Sequence, residues 1–369
     1  MAASVLPVFA PGDGICTMTI RVWCETVSYD VLRSEETVAL LVRHGVAPII
    51  AVRPGQEAAL PEVLARHWDA GLSPSVWPML SDEAGRWGSS WNLGPYSEWT
   101  LRVAGMVRAP TGLGAEVALD LEPPIALVAG ALSARPVQGD STGNHDASAV
   151  PRWRWLDRER SERSAAAALR YLLDTLHAQG FAVMAAVAPC VVFDPLPSSV
   201  AAALAPAGWQ RALGTPVDGL PWDHVSVMAY TSMLAGWSRG ALDRTAALAL
   251  FRSICRHTAQ RFGPRASVSV GAVGTGALGD EPVCASAREL AEDVAVARAC
   301  GIDDLALFDL GGVLDRPPAE AWFEAMGASV ASSPFSLRAA VVSTACSGLS
   351  LVAAAFAATQ LRVQSPGGR

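Results

Sequence analysis

Two carboxylates stand two residues apart in the run VALDLEP, at Asp120 and Glu122. The residues before them are almost wholly apolar, as is typical of a buried strand in a parallel sheet. Side chains two residues apart on a strand lie on the same face, so we expect these two to be neighbours. Neighbouring carboxylates disfavour simultaneous ionisation, and one of them should hold a proton near neutral pH, as a general acid must. The alternative interpretation is an ion pair between either carboxylate and an arginine.

Short apolar or β-branched runs alternate with helical stretches along the chain, which is typical of βα units around a parallel sheet. Eight such alternations predict a closed (β/α)8 TIM barrel over residues 1–330, with a long insertion after strand 4. Residues 331–369 are predicted to form a C-terminal tail with an apolar helix. The predicted strands cover residues 17–25, 46–52, 75–80, 114–122, 181–189, 224–230, 266–273 and 303–310.

Active sites of such barrels lie at the C-terminal ends of the strands, where the βα loops converge. Aromatic residues after strand 3, Trp87 and Trp91, are candidates to stack on sugar rings, the alternative being ordinary packing. Trp77, on the strand itself, is assigned to the core. The polar residues at predicted strand ends are Glu25, Asp82, Asp120, Glu122, Asp194, Tyr230, Asp280, Glu281 and Asp309. Of these, Glu25 and Asp309 are predicted to bind substrate beside the catalytic candidates Asp120, Glu122 and Tyr230.

The run VALDLEP resembles the fourth-strand signature DxxDxDxE of family 18 glycoside hydrolases, the chitinase-like barrels, and VMAYT resembles their sixth-strand MxYD or MxYN. This sequence departs from that pattern at Ala115, Ala118 and Thr231. The resemblance implies a substrate-assisted retaining mechanism in which the sugar's N-acetyl group is the nucleophile. It implies that Glu122 is the acid/base, that Asp120 orients the acetamido group and that Tyr230 hydrogen-bonds it.

The sequence therefore predicts a glycosidase-like barrel that acts on or binds an N-acetylated saccharide or glycoconjugate, without a cofactor. Two alternatives stay open. Glu25, Asp120 and Glu122 could supply three oxygen ligands to Mg²⁺ in a lyase or hydrolase. The barrel could also bind carbohydrate without catalysing a reaction.

The composition of the chain limits the kinds of binding partner that it can have. The net charge is −7 and the sequence contains no lysine, so the chain lacks the basic surface that nucleic-acid binding requires. The seven cysteines form no CxxC pair, which argues against a zinc site. No export signal is visible at the N-terminus, which favours a cytoplasmic location. The uncharged segment 339–361 leaves membrane association as the alternative, with packing on the barrel or an oligomer contact as further interpretations.

Three local matches to other active sites are interpreted as structural. Arg43, His44 and Gly45 spell the RHG of histidine phosphatases but fall at a predicted helix end, where a basic residue and glycine form a C-cap. The GDS at residues 139–141 follows no strand, so a serine nucleophile is not supported. The glycine-rich run 271–280 is assigned to a plain turn rather than a phosphate cradle.

Overall fold

A computed structural model describes residues 18–107, 115–128, 158–197, 199, 208–238, 240–328, 340–345 and 347. Eight parallel strands form one closed barrel in chain order, and β8 pairs with β1. The predicted (β/α)8 barrel is confirmed. The strands are β1 Thr19–Cys24, β2 Val46–Val52, β3 Ser75–Pro78, β4 Ala115–Leu121, β5 Phe181–Val187, β6 His224–Met228, β7 Ala266–Gly271 and β8 Asp304–Phe308.

Helices connect the strands on the outside of the barrel. The described α-helices are α1 Tyr29–Arg33, α2 Glu35–His44, α3 Leu60–Asp69, α4 Leu93–Ala104, α5 Arg158–Ala178, α6 Gly208–Leu213, α7 Thr231–Gly236, α8 Arg244–Phe262, α9 Ala287–Ala299, α10 Leu310–Asp315 and α11 Ala319–Met326. Short 3₁₀ turns lie at Glu57–Ala59, Asp82–Ala84, Pro189–Phe193 and Gly263–Arg265.

The helix ends follow the local sequence. The Ser34 hydroxyl caps the start of α2 by accepting a hydrogen bond from the Thr37 N–H. The same helix ends at Gly45, which has a φ of 61° in the left-handed region that glycine tolerates best. Arg43 and His44 occupy the last turn. The interpretation of RHG as a helix end rather than a phosphatase motif is confirmed.

Both faces of the barrel strands are buried, which explains why β4 is almost uniformly apolar before its acidic end. Val117, Leu119 and Leu121 belong to the core between barrel and helices. Ala118 faces the opposite way, into the barrel interior, where it packs in one cluster with Trp77. Because side chains alternate along a strand, Asp120 shares the inner face with Ala118.

The N-terminal end of the barrel interior is filled by ionic side chains. Arg21 hydrogen-bonds Glu116 and, through its Nε, the Asp304 carboxylate at 3.0 Å. His224 Nδ1 lies 3.3 Å from Asp304 Oδ2, and Ser75 donates to Glu116 Oε2 at 2.7 Å. Since these polar groups satisfy one another, they can be buried at modest cost. The open end of the interior is therefore the C-terminal one.

The loop after β3 holds the acidic end of β4 in place. The Gly88 N–H donates to the Asp120 carbonyl at 2.8 Å, and the Glu122 N–H donates to the Gly88 carbonyl at 3.1 Å. The Tyr96 hydroxyl, from α4, accepts from the Asp120 N–H at 3.1 Å. A Cβ added at Gly88 would lie 2.6 Å from the Tyr96 ring, so only glycine fits between loop and helix.

Several predicted features lie outside the described residues. Much of the long connection after β4 (residues 129–157) belongs to them, as does most of the apolar segment 339–361. Within that segment, residues 340–345 are helical, and the Ser343 hydroxyl lies 2.9 Å from that of Ser253 on α8. In the described part of the chain, no helix combines the length and the apolarity that crossing a bilayer requires.

The close approach at Gly88 predicts a stability effect. Gly88→Ala should lower the free energy of unfolding by about 1–3 kcal/mol, because the added methyl overlaps the Tyr96 ring. Urea denaturation measures this change. The matched control is Gly94→Ala in α4, where a Cβ meets nothing within 4 Å and stability should hold or rise slightly. Equal stabilities of the two variants would contradict the close packing.

Candidate active site

A cavity of about 400 Å³ opens at the C-terminal ends of the strands, within the size range of small-molecule sites. Its wall combines carboxylates with aromatic rings. The acidic lining residues are Glu25, Asp120, Glu122 and Glu281. The aromatic ones are Trp23, Trp77, Trp87, Tyr230, Trp237 and Phe308. The structure thus brings together Asp120, Glu122, Tyr230, Glu25 and Trp87 of the residues selected from the sequence.

Asp120 is the more buried of the two carboxylates at the C-terminal end of β4. The residue is 3% exposed, and its Oδ1 has no hydrogen-bond partner among the described residues. Burial raises the pKa of this carboxyl well above its usual range, and repulsion from Glu122 and Glu25 raises it further. A buried acceptor without a partner costs free energy, which a ligand that donates a hydrogen bond would recover.

Glu122 follows on the same face and is partly exposed to the cavity. Burial, followed by repulsion from Glu25, raises its pKa to about 8. The carboxyl is therefore largely protonated at neutral pH, as a general acid must be. Among the described residues, neither Asp120 nor Glu122 forms an ion pair with an arginine, so the alternative interpretation of this pair as salt-bridged has no support there.

Arginine side chains bind Glu25 rather than Asp120 or Glu122. Arg86 Nη1 lies 2.6 Å from Glu25 Oε1 while Arg86 Nε and Nη2 bind Asp82 at 2.7 and 3.0 Å. Arg53 Nη2 approaches Glu25 Oε1 at 3.3 Å. Burial still raises the pKa of Glu25, although Arg86 and then Arg53 oppose that effect. Glu25 therefore lines the cavity as a carboxylate held in place by two arginines.

Tyr230 faces the carboxylate pair from the end of β6. Its ring lies 5.6 Å from that of Phe308, and the residue is 8% exposed. Burial raises the pKa of this phenol well above its ordinary value, and the charges of Asp120 and Glu122 reinforce that shift. Tyr230 therefore stays protonated and can donate a hydrogen bond to a ligand.

Tryptophans form the cavity floor. Trp23 and Trp77 meet edge to face, with ring centroids 4.7 Å apart at 69°. Trp23 Nε1 donates to the Ser269 hydroxyl at 2.9 Å, which fixes its ring. Trp77 belongs to the core, as expected, and also lines the cavity, while Trp87 forms part of the wall.

Two residues expected to bind substrate do not line the cavity. Trp91 packs against Gly214, where an added Cβ would lie 2.7 Å from its ring. Asp309 is fully buried: its Oδ1 accepts from the Gly312 N–H at 2.9 Å and its Oδ2 from the Thr26 hydroxyl at 2.8 Å. It is the N-cap of α10. The substrate-binding role of these two residues stays a prediction, although neither lines this cavity.

Other strand-end acids also have structural roles. Asp82 binds Arg86, and the Asp194 carboxylate accepts from the N–H groups of Trp209 and Gln210 at 2.7 and 3.1 Å. Asp280 is exposed and lies outside the cavity wall, whereas its neighbour Glu281 is part of it. A position near a strand end is therefore not enough to place a side chain in the site.

Sequence reasoning missed several residues of the wall. Trp23 precedes Glu25 by two residues and so shares its face, a signal that the alternation of strand side chains could have supplied. Phe308 lies on the inward face of β8 and could have been predicted in the same way. Trp237 comes from the end of a short helix, and local sequence gives no signal of where its side chain points.

The predicted Mg²⁺ alternative has no geometric support in the described part of the chain. No group of three or more His, Cys, Asp or Glu residues there is placed to hold a metal ion. Glu25, one of the proposed ligands, already uses Oε1 to bind Arg86 and Arg53.

Comparisons with known proteins concern the fold. No protein-family model matches the chain, and no curated protein sequence matches it. The PgaB (BpsB) glycoside hydrolase domain from Bordetella bronchiseptica is similar at TM-score 0.47 and 14% identity, covering 85% of this chain and 99% of that one. An L-ribulose 3-epimerase matches at 0.42 and 15%, covering 96% and 100%. A family 5 glycoside hydrolase from Streptomyces cattleya, in complex with Manb1-4GlcNAc, matches at 0.43 and 12%, covering 79% and 70%. At these identities the similarity concerns barrel architecture alone.

The raised pKa of Glu122 makes stability depend on pH. A carboxyl whose pKa is about 8 when folded and about 4.3 when unfolded stabilises the protein fully below the lower value. That contribution is lost as pH rises toward 8, at up to about 1.4 kcal/mol per pH unit for one proton. Glu122→Gln cannot ionise here, so its stability relative to the parent should increase from about pH 5 to about pH 8.

Urea denaturation of both proteins across this interval measures the difference. Glu83→Gln, at an exposed position after β3, is the matched control and should track the parent at every pH. A difference between parent and Glu122→Gln that does not change with pH would show that Glu122 titrates normally.

Proposed function

We propose that this chain is a glycoside hydrolase-like barrel that acts on an N-acetylated saccharide, with Glu122 as general acid/base. One observation carries the proposal: Asp120, Glu122 and Tyr230 converge on one cavity, where Glu122 has a pKa of about 8. The resemblance of VALDLEP and VMAYT to family 18 glycoside hydrolases supports the same roles, and carbohydrate-acting barrels are among proteins of similar fold.

The reaction would begin with proton transfer. Protonated Glu122 donates its proton to the glycosidic oxygen, and the bond from that oxygen to the anomeric carbon breaks. The acetamido oxygen of the same sugar attacks the anomeric carbon and forms a cyclic intermediate. Ionised Glu122 then removes a proton from water, which opens the intermediate with net retention of configuration.

Asp120 and Tyr230 would bind the acetamido group during these steps. The unpartnered Asp120 Oδ1 is available to accept the acetamido N–H. The Tyr230 hydroxyl, protonated at neutral pH, can donate to the acetamido oxygen and so orient it. The tryptophan rings of the wall supply apolar faces on which pyranose rings stack.

A second candidate, a carbohydrate-binding barrel without catalysis, is favoured by one observation. The family 18 pattern places an aspartate two residues before Asp120, and this chain has the buried Ala118 there. Asp120 therefore lacks a carboxyl neighbour that the family pattern provides. In this case the cavity would bind the saccharide and release it unchanged.

Hydrolysis of nitrophenyl N-acetylglucosaminide oligomers tests the enzyme proposal. Glu122→Gln should reduce kcat by about 100-fold or more, because the amide cannot protonate the leaving oxygen. Glu83→Gln, an exposed change of the same kind, should leave kcat unchanged. Matching glucosides, which lack the N-acetyl nucleophile, should not be cleaved.

Absence of hydrolysis in the parent, with saccharide binding equal in parent and Glu122→Gln, would favour the non-catalytic candidate. Cleavage of glucosides as fast as N-acetylglucosaminides would contradict the substrate-assisted mechanism.

The pH profile of kcat gives an independent test. A general acid must be protonated in the enzyme–substrate complex, so kcat should fall as pH rises above about 8, the pKa of Glu122. Initial rates from about pH 5 to about pH 10 measure this limb. The residual activity of Glu122→Gln should lack it. An alkaline limb that survives in this variant would assign the titration to another group.

A further inference from the structure

Glu281 is a cavity carboxylate with no role in the proposed chemistry. It follows β7 and is 7% exposed. Its Oε1 accepts a hydrogen bond from the Leu278 N–H at 2.8 Å, whereas its Oε2 is buried without a hydrogen-bond partner among the described residues. A buried acceptor without a partner at a cavity wall costs free energy unless a ligand supplies the missing donor.

The charge of the wall selects the kind of donor. The described lining residues include the acidic side chains Glu25, Asp120, Glu122 and Glu281 and no arginine or histidine. Arginine reaches Glu25, but no arginine or histidine of the described chain forms an ion pair with Glu281. In the glycine-rich loop, the Leu278 N–H donates to Glu281, so this N–H is not available to a bound phosphate or other anionic ligand. Asp120 and Glu122 favour the protonated form, and Glu25 binds arginine. Glu281 has no described cationic partner, so its side of the wall suits a cationic donor better than an anion.

An exposed tryptophan lies on the same side of the cavity. Trp237, at the end of α7, is 40% exposed and contributes to the lining. The preceding Gly236 packs on Pro282, since an added Cβ would lie 2.4 Å from its ring. Trp237 and Glu281 each lie one residue from this contact, and both line the cavity at the β6–β7 side of the mouth. An accessible ring beside a carboxylate suits both a sugar face and a nearby ammonium group.

We propose that Glu281 and Trp237 form a second sugar subsite that binds a unit with a free, protonated amine, such as glucosamine. This inference rests on the proposed function and narrows the substrate class to saccharides in which an N-acetylated unit neighbours a deacetylated one. The acetamido group goes to Asp120 and Tyr230, and the ammonium group donates to Glu281 Oε2. No covalent step occurs at this subsite.

Calorimetric titration with three disaccharides tests the proposal. Diacetylated chitobiose and the two forms that carry one free amine, on either unit, are compared in the Glu122→Gln background, which prevents turnover. One monoamine form should bind about tenfold more tightly than the diacetylated form, at a pH at which the amine is protonated. Adding Glu281→Gln should reduce that preference to about twofold or less, since the amide retains an acceptor but loses the charge.

Asp280→Asn in the same background is the matched control: it removes the same charge one residue away at an exposed position and should preserve the preference. The proposal is overturned if neither monoamine form binds more tightly than the diacetylated one, if the preference survives Glu281→Gln, or if no disaccharide binds. Hydrolysis of N-acetylglucosaminides by the parent is measured separately. Hydrolysis without an amine preference would overturn the subsite alone, and an amine preference without hydrolysis would overturn the enzyme proposal alone.

Discussion

Closure of the barrel by pairing of β8 with β1 is the constraint on which the site depends. In a closed cylinder, every strand turns alternate side chains inward, so a carboxylate at an inward position near a C-terminal strand end has to face the mouth. Asp120 and Glu122 satisfy this condition together. Their backbone is then fixed by the bridge to Gly88 and by the Tyr96 hydroxyl, which leaves the side chains little freedom to turn away.

The pKa values of the carboxyls at the mouth depend on which of them Arg86 binds. Arg86 binds Glu25 and Asp82, with a left-handed backbone (φ 60°) that a non-glycine residue adopts at some cost. Because this cation binds Glu25 and Asp82, it forms no ion pair with Asp120 or Glu122, whose pKa values stay raised by burial and by repulsion from neighbouring carboxylates. Had an arginine bound Glu122 instead, its pKa would fall and the proton required of a general acid would be lost.

The alternation of apolar and helical segments was enough to predict the eight strands, and several boundaries, such as those of β2, match to the residue. The shared face of Asp120 and Glu122 followed from strand periodicity. Asp309 and Trp91 lie outside the cavity lining, which the sequence could not show, since it places a residue near the mouth but does not fix the direction of its side chain. Asp309 turns into a helix cap and Trp91 into an interface with Gly214. Pairing of Glu25 with Arg86 joins residues far apart in sequence and left no local signal.

An ionic layer at the opposite end of the barrel affects how a ligand can enter and leave. It is formed by Arg21, Glu116, Asp304 and His224. TIM barrels have a packed interior rather than a pore, and these side chains fill the described N-terminal end, so a ligand that enters at the C-terminal mouth would leave through it. Under the proposed function, released fragments and incoming ligand would therefore compete for this one opening. A polymeric substrate would reach the carboxylates by presenting a terminus or a bend to the opening, without threading through the barrel.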